Sequence, residues 1–230
     1  MAADLASNLA ETKQRVAEAA QRSGRAADEV ELLAVSKTWP AEKVAEVVTA
    51  GHFSFGENRV QEAEDKIPQL PDHLRWHLIG HLQRNKVRKA LPLFQVVHSI
   101  DSLKLARYTS NIAAELSLKP EVYLQVDLAG EQSKNGYMPE DLQRDLDDLC
   151  NLDHISIIGL MCIPPMAATP EDARPWFIKL RELRDELEQR SGQLLPGLSM
   201  GMSGDYEVAI EEGSTIVRVG SAIFGSRSYH

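Results

Sequence analysis

The chain has 230 residues, 43% hydrophobic and 26% charged, enough to bury a sizeable core in one large α/β domain or two small ones. Its net charge of −9 argues against a nucleic-acid partner, because phosphate backbones are met by basic faces. No apolar run approaches bilayer length, the N-terminus lacks a basic flank followed by an apolar core, and Cys150 and Cys162 form neither a CxxC pair nor a disulfide framework, so a cytoplasmic chain is expected. An amphipathic helix comes first, with Leu5, Leu9, Val16 and Ala20 near helical spacing, and stops at Ser23-Gly24. Strand and helix patterns then alternate. Apolar runs at 31–36, 52–55, 75–79, 94–99, 121–127, 155–161, 198–200 and 215–219 read as buried strands. Helical patterns fall between them at 41–50, 59–67, 84–91, 102–116, 139–149, 170–190 and 205–212.

Eight strands with intervening helices and no hairpin signal predict an α/β fold, a single (β/α)₈ barrel with an extra N-terminal helix. An open doubly wound sheet is the alternative, because periodicity does not report closure. No linker, repeat or low-complexity tract divides the chain, so residues 1–230 are read as one domain. The basic run Arg84 to Lys89 reads first as a solvated helix face, second as a contact for an anion.

In such a barrel, chemistry belongs to the C-terminal ends of strands. The first strand ends in Ser36-Lys37-Thr38, which places an amine at the barrel mouth. Partial desolvation there favours the neutral amine that attacks carbonyls; the plainer alternative is a lysine reaching solvent. The second strand leads to Glu57-Asn58 and the third to Gly80-His81, so Asn58 and His81 are either ligand contacts or helix caps. His77 and His81 lie on a strand and turn, an unsuitable face for a metal pair, and no metal site is expected. The loop after the fifth strand carries Lys134. Met161 and Cys162, ending the sixth strand, read as core. The stretch from Leu198 to Gly225 holds two Gly/Ser turns, Ser203-Gly204 and Gly220-Ser221, each after a short apolar run. Their backbone amides suit a phosphate, and barrels commonly hold phosphate after strands seven and eight. Arg218 precedes the second turn and needs an acceptor or anionic partner. A strand-end lysine and a two-turn phosphate cradle suggest a phosphorylated aldehyde, pyridoxal 5′-phosphate. Lys37 would form the Schiff base, the turns would hold the phosphate and Arg218 would meet the ring nitrogen.

At these residues the chain resembles the pyridoxal-phosphate homeostasis proteins, or proline synthetase co-transcribed homologues. The motifs are AVSKTWP, FGENRVQEAEDK, WHLIGHLQRNK, HSIDS, QSKNG, GLMCIPP and the long C-terminal stretch from Leu198 to Gly225. The resemblance implies a TIM-type barrel like the N-terminal domain of alanine racemase, with cofactor bound through Lys37. It further implies that Ser203, Gly204, Gly220 and Ser221 surround the phosphate, that Arg218 faces the ring nitrogen and that Asn58 lies near the cofactor. Lys134 matches a family lysine, and Arg59 stands where many members carry an aromatic residue. The implied role is an intracellular carrier or regulator of the cofactor, with apo-enzymes as recipients and no robust reaction of its own. A pyridoxal-phosphate-dependent amino-acid racemase is the alternative. It is disfavoured because the barrel pattern consumes the chain, leaving no room for the second domain that completes racemase sites. A barrel for some other sugar phosphate is the third reading. No long exposed apolar stripe demands a dimer, and a monomer is expected.

Overall fold

Parallel strands cannot be joined by tight turns, so each needs a crossover, and helices supply it. The computed structural model describes residues 4–131 and 135–225, and its strands run in the order β1-β2-β3-β4-β5-β6-β7-β8 around a closed parallel barrel. The strands are β1 (Glu31–Val35), β2 (Ser54–Glu57), β3 (Arg75–Leu78), β4 (Val96–Ile100), β5 (Glu121–Val126), β6 (Ser156–Cys162), β7 (Gly197–Met202) and β8 (Ile216–Val219). Closure rests on β1, where Ala34 is in register with Phe55 of β2 on one side and with Val219 of β8 on the other. The open-sheet alternative is thereby excluded.

The helices are α1 (Leu5–Arg22), α2 (Ala41–Thr49), α3 (Val60–Lys66), α4 (Val87–Ala90), α5 (Leu103–Glu115), α6 (Pro139–Cys150), α7 (Arg174–Ser191), α8 (Tyr206–Glu211) and α9 (Ser221–Phe224). Capping follows the sequence: Asp4 accepts from the amides of Ala6 and Ser7 at the start of α1, and Ser102 accepts from Leu105 at the start of α5. The extra helix α1 packs on α8 and α9. Arg15 and Arg22 reach Glu207 and Glu211, and Asn8 donates to the carbonyl of Ile223. The pattern at 84–91 becomes a 3₁₀ turn followed by the single α-turn α4, shorter than expected. Its basic run is absorbed by neighbours: Arg88 pairs with Glu115, Lys89 with Glu64 at 2.9 Å, and Arg84 lies over the Tyr108 ring.

Alternation along each strand divides the apolar residues between two cores. Leu32 and Ala34 join the large cluster between strands and helices, whereas Leu33 turns into the lumen with Val96, Tyr123, Met161 and Ile216. No described helix is long and apolar enough to cross a membrane.

Candidate functional site

A closed parallel barrel delivers all its strand ends to one face. There, a cavity of about 320 Å³ is lined by Lys37, Asn58, Ser203, Gly204, Arg218, Gly220 and Ser221. The seven positions singled out in the sequence, from four strands and the turns beyond them, thus surround one space. Val35, Ile79, Ile163, Met202 and Gly225 complete the lining. Ile79, Ile163 and Met202 escaped the sequence reading, although each stands at or just past a strand end. Two larger cavities, about 540 and 660 Å³, lie at the barrel base and beside the mouth. Chemistry rather than volume distinguishes the 320 Å³ space: two cations line it, and no carboxylate does among the described residues. In a chain of net charge −9 that is a local inversion of sign. Lys134 lies outside the described residues.

The wall behind Lys37 is held by a buried charged cluster. Ser36 Oγ donates to Glu57 Oε1 at 2.7 Å, and Lys66 Nζ donates to the same oxygen at 2.5 Å and to the Ser36 carbonyl at 2.9 Å. Burial raises the pKa of Glu57 above the usual carboxylate range, opposed by the Lys66 ammonium and the Ser36 hydroxyl. On the other side of Lys37, Thr38 adopts φ 69°, strained for a β-branched residue, and its amide donates to Glu62 at 3.1 Å. The backbone carrying Lys37 is therefore pinned at both neighbours.

Asn58 is not a helix cap, since α3 is preceded by Arg59, and its side chain is left to the cavity. A Cβ on Gly80 would lie 2.1 Å from the Asn58 carbonyl, so only glycine permits this approach. His81 turns away to Asp101 at 3.3 Å, while His77 faces the lumen. Arg59 is mostly exposed, beside Glu62, and does not line the cavity.

The two Gly/Ser turns are joined directly, because the Gly220 amide donates to Ser203 Oγ at 3.1 Å. One amide expected to face a ligand is therefore spent on the hydroxyl of the opposite turn. The first turn is closed by Asp205, whose carboxylate accepts from the Met202 amide at 2.6 Å, and α8 starts beyond it at Tyr206. Ser203-Gly204 thus precedes the helix, which Asp205 flanks. The amides of Gly204 and Ser221 meet no protein acceptor among the described residues. Gly204 is exposed at the cavity rim, and a Cβ there would meet nothing within 4 Å.

Arg218 is buried. Its Nη1 donates to the Ser199 carbonyl at 2.7 Å and to Ser199 Oγ at 2.6 Å, and Nη2 donates to the Cys162 carbonyl at 2.9 Å. These acceptors are neutral, and burial lowers the guanidinium pKa from its ordinary value without depriving it of charge. Cys162 is core as expected; burial pushes its thiol up to about 12.

The family model for the alanine racemase N-terminal domain matches residues 7–228. A pyridoxal phosphate homeostasis protein of Aquifex aeolicus is 44% identical over 222 residues, 96% of this chain and 97% of that one. PipY of Synechococcus elongatus, without pyridoxal phosphate, superposes with a TM-score of 0.89 at 40% identity, covering 96% of this chain and 100% of that one. Its form with pyridoxal phosphate bound gives 0.82 at 43%, covering 91% and 100%. Alanine racemase of Clostridium difficile shares the fold alone, at 15% identity and a TM-score of 0.73, covering 98% of this chain and 57% of that one. With its closed eight-strand barrel and full-length similarity, the chain belongs to the pyridoxal phosphate homeostasis proteins, within the alanine racemase N-terminal domain family.

Proposed function

We propose that this chain binds pyridoxal 5′-phosphate in the mouth cavity and serves cofactor homeostasis, the whole chain acting as one cofactor-binding domain. The observation that carries this reading is the donor set. One 320 Å³ space gathers a strand-end lysine, a buried arginine and two open amides, with no carboxylate among the described lining residues. These residues fit the cofactor, which supplies an aldehyde able to condense with a primary amine, a ring nitrogen and a phosphate. Lys37 offers the amine from a pinned backbone. The Gly204 and Ser221 amides and the Ser203 hydroxyl hold the phosphate, and Gly204 leaves room for it. Arg218 meets the ring nitrogen, and Asn58 orients the ring from the β2 side.

Arg218 also argues for a carrier over a racemase. A permanent cation beside the ring nitrogen disfavours protonation there, which weakens the ring as a sink for electrons. Racemisation further needs an acid–base group on each face, each typically contributing ~10²–10⁴-fold. The protein is proposed to act as a cytoplasmic monomer and to pass the cofactor to apo-enzymes.

Two measurements test this. Borohydride reduction of loaded protein should fix the cofactor on Lys37, and Lys37→Ala should fold without the yellow absorbance. Trapping on Lys134 would remove Lys37 from its role. Cα deuterium exchange of alanine should be very slow beside measurable cofactor transfer to an apo-enzyme. Exchange with inversion at ~1 s⁻¹ or faster would restore the racemase.

A further inference from the structure

A line of polar side chains crosses the barrel lumen from its base to the mouth cavity. Arg218 Nη1 donates to Ser199 Oγ at 2.6 Å, and Ser199 Oγ lies 2.8 Å from His98 Nδ1. His98 Nε2 lies 2.9 Å from His77 Nδ1. His77 Nε2 lies 3.3 Å from Ser54 Oγ and 3.5 Å from Glu31 Oε1, and Ser54 Oγ donates to Glu31 Oε1 at 2.5 Å. Six strands each contribute one member. His77, His98 and Ser199 are all buried, and the His98 ring stacks on Tyr123 with centroids 4.5 Å apart.

The two ends impose a direction on the links between them. A guanidinium only donates, so Ser199 Oγ accepts from Arg218, and its hydroxyl hydrogen is free for His98 Nδ1. With Nδ1 accepting, a neutral His98 carries its hydrogen on Nε2 and donates it to His77 Nδ1. His77 then carries its hydrogen on Nε2, facing the Glu31 carboxylate and a Ser54 hydroxyl already donating to it. The reverse direction would set a bare imidazole lone pair against that carboxylate and leave the Ser199 hydrogen without an acceptor. Both rings being neutral agrees with burial, which holds His77 and His98 below the usual imidazole range.

We propose that Ser199, His98, His77, Ser54 and Glu31 form a one-way hydrogen-bond chain that starts from the Arg218 guanidinium and ends on the Glu31 carboxylate, with both histidines neutral and protonated on Nε2, and that this chain positions Arg218 for the cofactor ring. The role toward the ring rests on the function proposed above; the direction of the chain does not. Bonds in such a chain polarise one another, and a fully satisfied network fixes its members more tightly than separate pairs would. The Arg218 fork is thereby held from behind by residues that do not line the cavity. The coupling is reciprocal, so occupation of the cavity should be felt at His77.

The test begins with ¹⁵N–¹H imidazole correlation spectra of the cofactor-free protein near pH 7. Both His77 and His98 should appear neutral with hydrogen on Nε2; a hydrogen on Nδ1, or an imidazolium, at either ring would overturn the chain. Adding pyridoxal phosphate should then move the His77 signals. Ser199→Ala cuts the chain but keeps the Ser199 carbonyl as an acceptor for Arg218. It should abolish the His77 response and shift the absorption maximum of the loaded protein, and Ser199→Thr should restore both. Should Ser199→Ala fail to fold, Glu31→Leu cuts the chain at its partly exposed base and should shift the same maximum. A cut variant with the wild-type maximum and His77 response would end the positioning role. Failure of the wild type to take up pyridoxal phosphate would sink the function proposed above and the role given to Arg218, while the cofactor-free spectra still decide the direction of the chain.

Discussion

The mouth and the base of this barrel are built on opposite rules. At the base, donors and carboxylates are matched: Glu31 accepts from Ser54 beside His77, Arg75 pairs with Glu121, and His52 bonds the Ser54 carbonyl at 2.9 Å. At the mouth, cations line the cavity and carboxylates do not, among the described residues. Lys37, Arg218, Gly204 and Ser221 line a space with no carboxylate among the described residues, and the nearby acids Glu57 and Asp205 are engaged elsewhere, by Lys66 and by the Met202 amide. Two cations and two open amides gathered at one end, in a chain of net charge −9, make that end the one suited to an anion. Strand ends on one face can thus be tuned for a ligand while the opposite face secures the fold.

The most damaging change should strike the charged wall behind the mouth. Lys66→Met leaves Glu57 buried and unpaired, at a cost of about 3–5 kcal/mol, read as a lowered denaturant midpoint. The double variant Lys66→Met/Glu57→Gln should recover much of that loss. Equal loss in single and double variants would mean that the charge pair is not what supports the wall.

Acid should attack the base next. Burial, with Lys13 adding to it, lowers the pKa of His52 to about 4, and burial also lowers His77 and His98. Because the folded values lie below the unfolded one, the unfolded chain takes up protons first. This stability is complete above pH ~6.5, is lost as pH falls, and for His52 is fully lost below about 4. One such histidine amounts to on the order of 3 kcal/mol. Urea titrations from pH 8 to 5 should show stability declining well above carboxylate pKa values. A flat profile to pH 5 would contradict the neutral, buried histidines.

Smaller effects separate the two kinds of mouth residue. Gly204→Val adds bulk at the cavity rim without touching the core, so pyridoxal phosphate affinity should fall about tenfold to a hundredfold, ~1.4–2.8 kcal/mol, at nearly unchanged stability. Ser203→Ala removes the acceptor of the Gly220 amide and should cost about 1 kcal/mol of stability, with a weaker effect on binding. Binding titrations in which Ser203→Ala is the more harmful would shift the phosphate contacts from amides to the hydroxyl.

Sequence by itself determined the eight strands, the crossovers and the strand-end residues. Burial on both faces gives parallel strands continuous apolar runs, and Gly/Ser turns punctuate them visibly. Lys37, Arg218 and the two turns were legible because barrel topology converts position along a strand into position on a face. Helix lengths near 84–91 and the short α9 were not legible, since a single turn carries too little periodicity. Only the tertiary structure decided which polar groups meet. His98 and Ser199 lie 101 residues apart, Ser203 and Gly220 are 17 apart, and Glu57 finds Lys66 within the barrel wall. No local pattern encodes such pairs, because they arise from strand register and from side chains meeting across the lumen once the barrel has closed.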